Sequence, residues 1–62
     1  MPNIVIEGPF IQDIAKKRAL VKEVTDAAVK AYALPRQVIV VLIKENKAEN
    51  VGVGGTLISD RQ

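Results

Sequence analysis

Pro2, directly behind Met1, is the residue with the clearest chemical potential in this chain. An initiator methionine is normally clipped when the next residue is small, and proline qualifies. Removal leaves a terminal secondary amine. An ordinary α-amino group titrates at about 7.7–8.0, and an apolar pocket or a nearby cation lowers that value by disfavouring the charged form. A neutral amine near pH 7 is a competent general base. With Met1 still attached, the same nitrogen is a tertiary amide and has no lone pair available for proton transfer. Few other groups compete with it. The 62 residues contain no Cys and no His, which excludes Ser-His-Asp and Cys-His nucleophiles, histidine acid–base work, disulfides, and thiolate or imidazole zinc sites. Carboxylates, lysines and Tyr32 remain. Nothing in the spacing of Glu7, Glu45 and Glu49 forces two of them together, so they read as surface charge or subunit contacts.

Two further motifs have a plainer reading. Gly52-Val53-Gly54-Gly55 lacks the following Lys-Ser/Thr of a phosphate cradle and does not join a strand to a helix, so it reads as turn geometry. Lys16-Lys17-Arg18 is a basic run, but Phe10 and Tyr32 are the only aromatic residues, and no stacking platform for nucleic acid accompanies it. The net charge of +2 suits a small anionic ligand and is too weak to imply nucleic acid. The longest unbroken apolar run, Val38–Ile43, is far short of the ~20 residues of a membrane helix. The start of the chain lacks the pattern of a signal peptide. The expectation is a cytoplasmic protein without membrane or nucleic-acid partners.

The elements that must position Pro2 are short. Ile4-Val5-Ile6, closed by Gly8-Pro9, reads as a first strand. Asp13 is a candidate N-cap. Ile14, Val21, Val24, Ala28 and Ala31, widened by Leu20, Ala27 and Tyr32, then predict an amphipathic helix of about five turns ending before Leu34-Pro35. Val38–Ile43 is apolar without alternation, as in a strand covered on both faces. Lys44 to Asn50 reads as a loop, and Val51–Ile58 as a short glycine-punctuated hairpin. The fold class is therefore α/β: one β-α-β unit with a C-terminal hairpin, a single domain over residues 1–62. Such a unit leaves both sheet edges open and one face bare. With 48% apolar residues and no disulfide or metal to staple it, a chain this short needs copies of itself. Edge pairing would make a two-fold dimer with a four-stranded sheet, and dimers could close into a ring.

Taken together, these features resemble the tautomerase superfamily, specifically its short-chain 4-oxalocrotonate tautomerase branch. The carriers are Pro2 behind Met1, the β-branched first strand, the helix segment Lys17–Thr25, Pro35 before the second strand, and Val51-Gly52-Val53-Gly54-Gly55. The resemblance implies a β-α-β protomer assembled as a homohexamer, a trimer of dimers. It also implies a terminal proline that moves a proton between the enol oxygen and a carbon of a 2-hydroxydienoate such as 2-hydroxymuconate, without a cofactor.

Departures from the family pattern fall at the substrate contacts. Arginines that the family uses for carboxylate and carbonyl oxygens correspond here to Gln12 and Val40, and a pocket aromatic corresponds to Val51. A neutral side chain does not reproduce the guanidinium fork. Arg36, Lys44 and Arg61 are the candidate substitutes, the first two by sharing strand parity with Val40 if the strand extends that far, the third by reaching a neighbouring copy. The expected function is an enol–keto tautomerase. Hydratase or lyase chemistry, and a non-catalytic binding oligomer, are the alternatives.

Overall fold

A computed structural model of the protein describes residues 2–61. The elements follow as β1 (Asn3–Gly8), α1 (Ile14–Tyr32), a 3-10 turn (Arg36–Val38), β2 (Val40–Glu45), a 3-10 turn (Ala48–Asn50), β3 (Gly52–Val53), β4 (Thr56–Leu57) and a last 3-10 turn (Ile58–Asp60). β1 and β2 are parallel, in a register that runs from Asn3 opposite Val40 to Gly8 opposite Glu45. This is the expected β-α-β unit. β3 and β4 form a separate antiparallel pair. Their two-residue connection, Gly54-Gly55, has φ of +62° and +87°. A tight hairpin of matching twist needs that backbone, and glycine adopts it without steric cost.

Local signals explain the helix limits. The Asp13 carboxylate accepts the Ala15 N–H at 2.9 Å, a standard N-cap. At the other end Ala33 turns left-handed at φ +54° and donates its N–H to Val29 O at 2.9 Å. Pro35 follows and cannot continue the helix.

Alternation along β1 places Ile4 and Ile6 toward the helix and leaves Asn3, Val5 and Glu7 outward. In β2 their register partners Val41 and Ile43 share the helix side. The opposite face carries three ladder pairs: Asn3 with Val40, Val5 with Leu42, and Glu7 with Lys44.

Three sequence expectations need correction. β2 begins at Val40 rather than Val38, because the chain leaving Pro35 first makes a 3-10 turn, with the Ile39 N–H bonded to Arg36 O at 3.1 Å. Within one protomer β2 is covered on one face only, and Leu42 is 47% exposed. The helix stripe is also shorter than expected. Thr25 and Ala28 are buried, whereas Ile14, Ala27, Ala31 and Tyr32 are exposed. Nineteen helical residues span about 28 Å, six strand residues only about 20 Å, so the helix ends overhang the sheet.

Among the described residues, Thr25 and Ala28 are the only buried ones. The radius of gyration is 14.8 Å, against about 11 Å for a compact chain of this length. The surface of 4961 Å² exceeds the roughly 3900 Å² of a compact monomer of this mass. The excess, about 1000 Å², is slightly more than one partner's share of a standard interface, ~800 Å².

Candidate active site

Pro2 is half-buried at the mouth of β1. Its carbonyl accepts the Val40 N–H at 3.0 Å, which ties the ring to the start of β2. Met1, and with it the expectation that it is removed, lies outside the described residues. The neighbouring end of the sheet carries the left-handed cap at Ala33, Pro35 and the 3-10 turn that begins at Arg36.

Arg36, Lys44 and Arg61 do not meet at Pro2 within one protomer. Arg36 lies in the 3-10 turn and not in the strand, so the parity argument does not apply to it. Its Nη1 donates to Asp26 Oδ1 in a close ion pair, and Asp26 Oδ2 also pairs with Lys22 Nζ at 3.2 Å. Arg36 first, then Lys22, holds the Asp26 carboxyl below the usual carboxylate range. Lys44 does share a face with Val40, but four strand residues, about 13 Å, separate them, and its ladder partner is Glu7. Arg61 Nη2 donates to Val53 O at 3.3 Å, which ties the tail to the hairpin. Of the two positions that the resemblance sets against family arginines, Gln12 is exposed in the loop between β1 and α1, and Val40 is half-buried.

An apolar recess stands at the far end of the sheet. It encloses about 430 Å³ between Pro9, Ala48, Val51 and Ile58, with Glu7 and Asn46 at its polar side. The Ile58 N–H bonds Val51 O at 2.7 Å, which folds the tail over the recess. The length of β1, about 20 Å, separates this recess from Pro2.

One contact escaped the sequence reading. Glu45, which reads from the sequence as surface charge or a subunit contact, accepts the Ile11 N–H and pairs with Lys17, both at 2.9 Å. The Ile11 N–H first, and Lys17 second, lower its carboxyl below the usual range. No local pattern could reveal it, since Ile11 is 34 residues away. Among the described residues no group of three or more His, Cys, Asp or Glu could hold a metal ion, and no helix is long and apolar enough to cross a membrane.

Known proteins share both sequence and architecture with this chain. A family model for tautomerase enzymes matches residues 3–61. A probable tautomerase of Listeria innocua serovar 6a is 38% identical over 60 residues, 97% of this chain and 98% of that protein. The crystal structure of DmpI from Archaeoglobus fulgidus is 46% identical, with a TM-score of 0.87 over 95% of this chain and all of that one. That of YwhB, a homologue of 4-oxalocrotonate tautomerase, is 28% identical, with a TM-score of 0.92 over 98% and 100%. Matches that run from the first strand to the tail, on the same β-α-β frame, mean that this chain belongs to the tautomerase family, in its short-chain 4-oxalocrotonate tautomerase-like branch.

Proposed function

We propose that the protein is a cofactor-independent enol–keto tautomerase, with Pro2, freed of Met1, as its general base. The substrate class is a small unsaturated 2-hydroxy acid of the 2-hydroxymuconate type. The Pro2 nitrogen takes the proton of the enol oxygen. The electron pair left on oxygen forms the carbonyl, the double bonds shift, and the ammonium returns the proton to carbon. The observation that carries this reading is the anchored position of Pro2: a half-buried ring held by the Val40 N–H at the entrance of an apolar ladder, in a family of tautomerases.

The site belongs between copies. Pro2 and the recess at Val51 are a strand length apart in one protomer, and the excess surface matches what a partner would cover. In the assembly, a homohexamer built as a trimer of dimers, Arg36, Lys44 and Arg61 are the cations available to the substrate's carboxylates. Arg36 must share its charge with Asp26, which weakens its claim. A cytoplasmic location, without nucleic-acid or membrane partners, belongs to the same proposal. Gln12 and Val40, neutral where the family uses arginine, favour a second reading: a tautomerase-like oligomer with hydratase or lyase chemistry, or one that binds without catalysis.

Intact mass spectrometry of protein from its native source reads the state of residue 1, and ketonisation of 2-hydroxymuconate is followed spectrophotometrically. Loss of Met1, with activity that falls about 10²–10⁴-fold in Pro2→Ala, the span of a positioned general base, is the expected result. Complete retention of Met1, or full activity in Pro2→Ala, refutes the reading.

A further inference from the structure

The segment Pro9–Asp13, between β1 and α1, is held at both ends. Gly8 O accepts the Asn46 N–H at 2.8 Å, and Asp13 caps the helix. Between these points, among the described residues, Pro9–Gln12 makes a single hydrogen bond, from the Ile11 N–H to Glu45 Oε2 at 2.9 Å. The same oxygen pairs with Lys17 Nζ at 2.9 Å, and the two side chains are only 24% and 26% exposed. Lys17 in turn stands 5.8 Å from the centre of the Phe10 ring, within cation–π range. Glu45 therefore connects the end of β2, the middle of the loop and the first turns of the helix.

What this loop carries gives the connection a consequence. Pro9 lines the recess at Val51. Gln12 occupies a place where the family pattern has a substrate arginine. A cation attracts an anion over several ångströms, because the interaction falls only as the inverse of distance. An amide must be within about 3 Å and well aligned to contribute at all. Replacing arginine by glutamine thus makes the contribution depend on where the backbone holds it. We infer that Glu45 is a positioning residue, which holds Pro9–Asp13 in one conformation and so sets where Gln12 and Pro9 stand against the bound substrate. The kinetic half of this inference rests on the proposed tautomerase function; the latch itself rests on the geometry alone.

The test uses the full-length assembled protein, Glu45→Ala and Glu45→Gln. It measures amide exchange at Ile11 together with kcat and KM for 2-hydroxymuconate. Glu45→Ala raises Ile11 exchange at least tenfold and KM at least fivefold, with kcat within twofold. In Glu45→Gln the amide oxygen still accepts the Ile11 N–H, so both quantities return to within threefold of the unsubstituted protein. Unchanged Ile11 exchange in Glu45→Ala overturns the inference, and so does faster exchange with unchanged KM. Equal defects in the two variants, or exchange that rises along the whole chain as copies dissociate, overturn it too. An unsubstituted protein that lacks tautomerase activity refutes the functional reading instead; exchange at Ile11 then decides the latch by itself.

Discussion

Replacing Val5 and Leu42 together by alanine probes the bare face of the sheet. The two are ladder partners on the side away from the helix, 49% and 47% exposed in the protomer. Full burial of a valine or leucine is worth about 1.5–3 kcal/mol. Roughly half of that, about 1 kcal/mol each, is still outstanding at both residues and is gained only when a partner covers them. The double substitution therefore removes about 2 kcal/mol per protomer, and about 4 kcal/mol from a two-fold contact in which both copies lose it. At about 1.4 kcal/mol per factor of ten, the dissociation constant rises about a thousandfold. Light scattering over a dilution series reads the shift, and circular dichroism at high concentration checks that the helix persists. A midpoint that moves less than threefold would mean that this face stays open, and the argument from excess surface would fail with it.

Other expectations are smaller and local. Asp13→Ala removes the N-cap and costs about 1 kcal/mol, which for a domain of this size lowers Tm by about 4–8 °C in a thermal scan. Gly55→Val places a β-branched residue at φ +87°; a cost of about 1–2 kcal/mol opens the hairpin and speeds amide exchange at Ile58, whose N–H bonds Val51 O. Glu45 and Asp26 both have carboxyls lowered by their partners, so the folded state binds fewer protons than the unfolded one. Their stabilisation is present above the ordinary carboxylate range and is lost as pH falls through the depressed values. The contribution of these two carboxyls should thus be flat over about pH 6–8, and thermal midpoints should fall below about pH 4, less steeply in Glu45→Ala.

Periodicity and punctuation made the secondary structure legible. Ile4-Val5-Ile6, the Asp13 cap, the stop at Pro35 and the paired glycines each act through local sterics or hydrogen bonding, and each stands where expected. The start of β2 did not, because Val38 and Ile39 are apolar enough for a strand while Pro35 makes the backbone turn first. That shift also takes Arg36 out of strand parity and beside Asp26, a pairing ten residues apart that depends on how the helix end meets the turn. Glu45 was hidden for the same reason, since its partners at Ile11 and Lys17 come near only once β1 and β2 are in register. Pro2 stood out as a candidate in the sequence because its chemistry lies in its own atoms. The pocket was not, because its walls are distributed along the chain and, in the proposed assembly, among copies.

The bond from the Val40 N–H to Pro2 O makes the proposed base a part of the main chain rather than a group at the end of a side chain. Such a base has no χ angles to search and no rotamer to lose. Its address is the register of the parallel ladder. A slip of one residue between β1 and β2 would move the nitrogen by about 3.3 Å along the sheet, further than a proton can be passed. Catalytic geometry and strand pairing are then the same quantity, and any substitution that loosens the first rung should be felt as a change in rate before it is felt as a change in fold.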